Sequence, residues 1–353
     1  MAVQSKVDSD LQVPLIVRSA AETDLGSLTA LAASAGPGMT TVPQGEAAIS
    51  ARIEASTRAF SSKGKASAAD TFFFVLDDGH GAAGMGCVFP DLGGDRPFYS
   101  YRLSHIAAQS PELDLRASSD ILFLVNDFHG YSELATLFIG AAARSRGAGR
   151  FLSLARLFYM GLHRDRFGAD VMAEIRGWFD ESGNNPFWGY IAAKFFHTSF
   201  EEADRQSAND FRFISHLMPK FPIYVALLPP EAQTVIGKPH QTSHRAMSML
   251  QAEGFAYTRC VDIFDGGPSI ECPLAQARIV RETAERSLVV VSEDTRQADD
   301  VDFILCAPPP ADFAAVRGWG ARIGDQVKLS PEAAARAGLD AGQTVMAAPL
   351  KGH

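Results

Sequence analysis

The spacing of apolar residues changes repeatedly along this chain, and the changes predict elements of both kinds. "LIVRSA" (15–20) predicts a first strand. "AETDLGSLTALAASAG" (21–36) carries Leu25, Leu28, Leu31 and Ala32 at helical spacing, with Gly36 as a stop. "GPGMTTVP" (36–43) predicts a loop, and "EAAISARIEASTRAF" (46–60) a second helix. "TFFFVLDDGHGAAGMGCVFP" (71–90) sets two apolar runs around Asp77, Asp78, Gly79 and Gly81, which predicts a hairpin. "PFYSYRLSHIAA" and "ILFLVNDF" then predict further strands.

From residue 133 the pattern tightens. "ELATLFI" (133–139) is nearly continuous in apolar residues, as in a strand covered on both faces. "RFLSLARLFYMGLHRDRFG" (150–168) is apolar around most of a helical circumference and predicts a buried helix. "DVMAEIRGW" (170–178) alternates, with Val171, Ala173 and Ile175 on one face and Met172, Glu174 and Arg176 on the other. "PFWGYIAAKFF" (186–196) predicts a helix with Pro186 in its first turn. Trp178, Phe187, Trp188, Phe195 and Phe196 read as core. The pattern is weak over 200–245. It resumes as helix, glycine stop and strand in "AMSMLQAEGFAYTRCVDIF" (246–264), followed by a turn, a short strand and a helix through residue 286. A polar stretch from 287 marks a boundary, and the tail alternates short strands with Gly-Asp and Ala-Gly turns. The expected organisation is an α/β (α+β) mixed sheet flanked by helices over 14–199, a second αβ segment over 200–286 and a small β-rich region over 287–353.

Composition narrows the class. Hydrophobic residues make up 46% of 353 and charged residues 21%, ordinary for a globular protein with a full core. A net charge of −9 argues against a nucleic-acid partner, and it is compatible with a cationic small substrate. No apolar run reaches the ~20 residues of a membrane helix. The N-terminus has no apolar signal core, so a cytoplasmic location is expected. Cys87, Cys260, Cys272 and Cys306 lack metal or disulfide spacing and fit a reducing compartment.

The chemistry-bearing motif is "RSRGAGR" (144–150), between a predicted buried strand and a predicted buried helix. Gly147 and Gly149 allow close backbone approach to a ligand. The first helical turn adds unpaired N–H groups and the positive dipole end, and Arg144, Arg146 and Arg150 add charge. The arrangement can cradle a pyrophosphate or form no more than a tight turn. It lacks the Gly-Lys-Ser/Thr of a P-loop, and antiparallel strands precede it, unlike a dinucleotide fold. Arg-x-x-Gly-x-Gly after the fourth strand of a mixed sheet resembles the acyl-CoA site of the GNAT superfamily of N-acyltransferases.

Longer segments resemble one family. "VNDFHGYSELATLFI" (125–139), "MAEIRGWFDESGNNPFW" (172–188), "LMPKFPIYVALLPPEAQTVIGKPH" (217–240) and "EGFAYTRCVDIFDGGPSIEC" (253–272) resemble arginine N-succinyltransferase, in register over residues 14–285, with "SARIE" (50–54) included. The resemblance implies succinyl-CoA as co-substrate, no tightly bound cofactor, and the α-amino group of L-arginine as acceptor. It implies that His240 is the proton donor and that Leu137 binds succinyl-CoA. This chain has Pro239 before the histidine and Gln241 after it, where the family has proline directly after, and Ala135 where a cysteine is common. Succinylation of ornithine, or a non-catalytic acyl-CoA-binding subunit of a larger assembly, are the other readings. A homo- or hetero-oligomer is compatible with all of them.

The residues themselves leave choices open. His240 lies in the polar loop "GKPHQTSH", where it can be a surface histidine or an acid–base group. His244 four residues on has no Glu or Cys cluster with it, so no metal is expected. Asn126, Asp127, His129, Ser132 and Glu133 form a polar knot; Asp127 or Glu133 could hold a guanidinium, or the knot could cap itself. Glu174 and Arg176 could bind substrate or each other. Cys260 and Cys272 read as core thiols.

Overall fold

The computed structural model describes residues 13–35, 41–200, 202–203, 216–310 and 312–352. Residues 36–40 of the expected loop 36–43, and most of 201–215, lie outside these. One sheet runs through the molecule. Its strands are β1 (Ile16–Ser19), β2 (Phe72–Asp77), β3 (Ala82–Phe89), β4 (Ser100–Ser110), β5 (Leu115–Val125), β6 (Ser132–Ile139), β7 (Asp170–Glu174), β8 (Ile223–Tyr224), β9 (Ala256–Val261), β10 (Pro268–Pro273), β11 (Ala284–Val290), β12 (Val301–Cys306), β13 (Ala314–Gly320), β14 (Gln326–Leu329) and β15 (Thr344–Pro349). The central order is β1-β2-β3-β6-β7-β10-β9-β4-β5-β8, antiparallel except for the pair β6–β7.

Helices α1 (Leu25–Ala33) and α2 (Glu46–Ser61) cover one face, and α3 (Ala148–Leu162) the other. Leu28, Leu31, Ile49 and Ile53 meet Phe73, Val75 and Cys87 on the first face. Phe151, Leu152, Leu154, Leu157 and Phe158 of α3 meet Phe72, Phe74, Leu134 and Val171 on the second. The alternation of β7 is as its pattern predicts: Val171, Ala173 and Ile175 pack on the α3 side, and Met172 joins a separate cluster with Phe128 and Cys260.

One element differs from the pattern. The helix expected to reach residue 286 is one turn, Arg278–Arg281, and β11 begins at Ala284, so strand pairing overrides local spacing there. The expected helix at 186–196 is present over its whole length, with a π-turn, Trp188–Ala192, inside it and an α-turn, Ala193–Phe196, at its end. Phe187, Trp188 and Phe196 are buried there as expected.

The tail is more than a terminal attachment. The pairings β13–β14, β14–β11, β11–β15, β15–β12 and β12–β13 close into a ring of strands. β13 also pairs with β1, so the tail and the main sheet share hydrogen bonds. Phe313, Ile304 and Ala348 of this ring enter the same core as α3.

Candidate active site

The site begins as a defect in β6. Met85 pairs with Phe138 and Cys87 with Ala135, so Thr136 and Leu137 together stand opposite Gly86. This is a β-bulge. Thr136 has φ +55°, a left-handed conformation that a β-branched residue adopts only when its surroundings impose it. Its hydroxyl donates to the Thr41 carbonyl at 3.0 Å. β6 and β7 pair only at Ser132↔Val171 and Glu133↔Met172, and beyond Glu133 they splay. The opening is part of a cavity of about 640 Å³ lined by Leu134, Thr136 and Leu137 of β6 and by Ala173, Glu174 and Ile175 at the end of β7.

Arg156 braces the bulge. It reaches from α3 across the place where Gly86 has no side chain; a Cβ there would lie 3.0 Å from the arginine Cδ. Nη1 donates to the carbonyls of Cys87 (3.1 Å) and Ala135 (2.7 Å), which the bulge separates from the regular ladder. Arg156 is 1% exposed, its Nε has no hydrogen-bond partner, and the residue lines the cavity. Burial lowers its pKa to about 10, which leaves it charged at neutrality.

Six carboxyl residues line the same cavity, and burial raises four of them: Glu133, Glu174, Asp262 and Asp265. Burial pushes Glu133 up to about 7 against the attraction of Arg156 and Arg52, with Asp262 adding to the rise. Burial, then Asp262, Glu133 and Asp265, holds Glu174 well above the usual carboxylate range. Asp262 and Asp265 are both raised by burial, although Asp262 accepts N–H bonds from Phe264 and Asp265, and Asp265 accepts them from Gly177 and Gly267. Such mutual repulsion in a low-dielectric cavity favours an entering cation.

His240 is positioned by backbone. Its N–H donates to the Arg176 carbonyl at 2.8 Å, and Pro239 forms a bridge with Gly177. The histidine loop thus docks on the continuation of β7, and its next residues, Thr242 and Ser243, line the cavity. The backbone N–H of Thr242 donates to Nδ1 at 3.2 Å, so the neutral ring carries its proton on Nε2. Burial, Arg176 and His244 lower the His240 pKa, so the ring is uncharged at neutral pH.

The glycine segment lies at the head of α3. A 3₁₀ turn, Ala141–Arg146, precedes it, and Gly147 adopts φ +65° between the two helices, a conformation that favours glycine. Two of the three expected arginines are turned to backbone: Arg144 Nε donates to the Ile139 carbonyl and Arg146 Nη2 to that of Val13. Arg317 of β13 donates to the carbonyls of Arg146 (2.7 Å) and Gly147 (2.8 Å) and stacks 4.7 Å over Phe151.

The other expected residues divide. Glu133, Leu137, Glu174 and Arg176 line the cavity; Arg144, Gly147, Gly149 and Arg150 lie outside that lining, at the head of α3. Asp127 and His129 also lie outside that lining: Asp127 is paired with Arg102 at 2.6 Å on an exposed surface, and His129 Nδ1 contacts the Gly93 carbonyl. No ion pair joins Glu174 to Arg176; Arg176 stacks 4.8 Å over Phe179. Cys260 and Cys272 are buried free thiols, pushed up by burial. Among the described residues no group of His, Cys, Asp and Glu could hold a metal, and no helix is long and apolar enough to cross a membrane. Sequence reading missed Arg156, Arg317, Asp262 and Asp265. An arginine in the middle of an apolar helix was a signal for the first; the others depend on pairing between distant segments.

A mixed sheet that opens at a bulge beside its parallel pair, with a glycine turn heading the buried helix, defines a GNAT-like N-acyltransferase fold. The profile described as arginine N-succinyltransferase beta subunit matches residues 15–279. Over 337 residues the chain is 36% identical to arginine N-succinyltransferase subunit beta of Pseudomonas aeruginosa, covering 95% of this chain and 98% of that one. It is 38% identical over 295 residues to arginine N-succinyltransferase of Shigella dysenteriae serotype 1, covering 83% and 84%. A solved structure of arginine/ornithine succinyltransferase subunit AI from Pseudomonas aeruginosa superposes with a TM-score of 0.84 at 28% identity, covering 96% of this chain and all of that one. The chain belongs to the arginine N-succinyltransferase family.

Proposed function

We propose that this chain transfers a succinyl group from succinyl-CoA to the α-amino group of L-arginine, giving N2-succinylarginine and CoA. The observation that carries this reading is the acid wall of Glu133, Glu174, Asp262 and Asp265 beside the splayed strands. A dicationic acceptor suits that wall, and an acyl thioester suits the opening. Pantetheine lies between β6 and β7, and the pyrophosphate meets the head of α3 at Gly147, Gly149 and Arg150. Backbone N–H groups near Leu137 polarise the thioester carbonyl. Glu174 and Asp262 receive the guanidinium, and Arg176 receives the succinyl carboxylate, which could not be buried without a cationic partner.

His240 protonates the departing thiolate. Its pKa is lowered by burial, Arg176 and His244, so it gains that proton from the reacting amine. The relatives from Pseudomonas aeruginosa are named as subunits, and assembly of this chain into an oligomer belongs to the same proposal. Incubation of the purified chain with a panel of acyl-CoAs and amino acids, read by mass spectrometry, tests all of it. Succinylarginine should dominate. Equal use of acetyl-CoA would sink the donor assignment, equal use of ornithine the acceptor assignment, and no turnover by the chain alone the catalytic one.

A further inference from the structure

The roles given above leave one charge of the acceptor without a partner. L-arginine carries its α-carboxylate on the same carbon as the attacking nitrogen, so the carboxylate enters the cavity with the amine. In a pocket walled by acids it would be both desolvated and repelled. We propose that the guanidinium of Arg52 receives the acceptor's α-carboxylate, and that this contact makes the site select an amino acid over the corresponding amine. This rests on the reading of the reaction given above.

The bulge itself places Arg52. The residue lies on α2, half-buried beside Ile49 and Ile53, and it lines the cavity. Its Nη1 donates to the Thr41 carbonyl at 2.7 Å, the same oxygen that accepts the Thr136 hydroxyl. One shared acceptor therefore ties the guanidinium to the left-handed residue of the bulge, next to Leu137 and the reacting carbonyl. Nη1 also lies 3.8 Å from Cys87 Sγ, and the group stands 5.6 Å over the Phe89 ring. Cys87 and Phe89 pair with Ala135 and Glu133, so Arg52 covers the stretch of β6 that leads into the bulge.

Both of these hydrogen bonds use Nη1. Among the described residues no hydrogen bond or ion pair uses Nε or Nη2. Those two nitrogens form the side-on fork that matches a carboxylate in a bidentate pair. The other arginines of the lining are placed differently. Arg156 reaches the bulge from α3, is 1% exposed and bonds the bulge carbonyls. Arg176 follows β7 across the opening and serves the succinyl carboxylate. Arg96 is exposed on the loop between β3 and β4.

With its guanidinium at Glu174 and Asp262 and its carboxylate at Arg52, the acceptor is held at both ends and its amine is left at the bulge. Ornithine carries the same carboxylate, so Arg52 does not separate arginine from ornithine. It separates both from amines that lack the group. Arg52 also favours the charged form of Glu133. That effect is the same whichever acceptor is bound, whereas a carboxylate contact is not.

The test compares L-arginine with agmatine, its decarboxylated form, which keeps the guanidinium, the chain length and the reacting amine. Steady-state kinetics of the full chain with succinyl-CoA give KM for L-arginine, and KM for agmatine or, where it is not turned over, its competitive inhibition constant. Arg52→Met keeps the apolar stem and removes the charge. It should raise KM for L-arginine by ~10²-fold. The agmatine constant should stay within a few-fold or improve, because a cation facing its ammonium is gone. The preference for succinyl-CoA over acetyl-CoA should not move. Arg52→Lys, which keeps the charge and loses the fork, should fall between, and it decides the matter if Arg52→Met does not fold. Equal weakening of L-arginine and agmatine would overturn the proposal and reduce Arg52 to a support of the bulge or of Glu133. Loss of the succinyl preference with both acceptors unchanged would also overturn it, and would make Arg52 the donor's ligand. A native chain that makes no succinylarginine would overturn the reaction instead, and calorimetric binding of the two compounds to both chains would still decide the carboxylate contact.

Discussion

Three of the described arginines, Arg156, Arg166 and Arg278, lie almost wholly out of solvent, and the molecule treats Arg278 and Arg156 differently. Arg278, at the single turn before β11, forms a 2.7 Å ion pair with Glu253 and a second with Glu282, and donates to the Pro349 carbonyl. Among the described residues Arg156 has no carboxylate within ion-pair distance; carbonyls hold one nitrogen and another is left without a partner. The first is a closed network that ties the end of the catalytic half to the terminal strand ring. The second is open toward a cavity. A buried cation with all its partners in place stabilises a junction, whereas one with capacity left over is strained unless a ligand or a neighbouring carboxyl uses it. The contrast separates structural charge from chemical charge without reference to either arginine's position in sequence.

The largest effects should come from the open region. His240→Ala should lower kcat by ~10²–10⁴-fold with little change in either KM, because the lost interaction belongs to the transition state. The variant should stay folded, since His240 sits in a loop and its side chain bonds only Thr242. A folded variant with near-native kcat would remove this residue from the mechanism.

The closed network gives the opposite signature. Arg278→Ala leaves Glu253 buried without its partner and should cost about 3–5 kcal/mol of stability. Urea unfolding should show it, with KM for both substrates unchanged at temperatures where the variant is folded. A rise in KM without loss of stability would mean that the two regions are one.

Gly147→Val tests the junction between them. A β-branched residue at φ +65° costs on the order of 1–3 kcal/mol locally and displaces the turn that Arg317 clamps. KM for succinyl-CoA should rise well above that for arginine. Equal rises would reduce the loop to a structural turn.

The smallest effect concerns pH. Glu133 binds its proton more tightly in the folded state, with a value raised from the ordinary 4.5 to about 7. The native state therefore holds more protons than the unfolded state between those values, and stability falls as pH rises through that window. Glu133→Gln should remove this penalty. It should be more stable than the native chain at pH 8 by on the order of 1 kcal/mol or more, and nearly equal to it at pH 4, as thermal melts at both values would show.

Much of the frame was legible in the sequence because it depends on local periodicity. The buried β6, the largely apolar α3 and the two-faced β7 follow from the spacing of their side chains, and the long segments that resemble arginine N-succinyltransferase named the family. The glycine turn was legible as well, since a left-handed residue at the start of a helix needs glycine. Sequence could not say which arginines near that turn face a ligand. Arg144 bonds the nearby Ile139 carbonyl, Arg146 that of distant Val13, and the clamp arrives from Arg317, some 170 positions away. Nor could it gather Glu133, Glu174, Asp262 and Asp265 into one wall, or exclude Asp127, which pairs with Arg102 across a hairpin. Hydrophobic spacing is a property of neighbours along the chain. The charge around a cavity is a sum over strands whose order the spacing does not contain, and here only the tertiary pairing of β6, β7, β9 and β10 decided it.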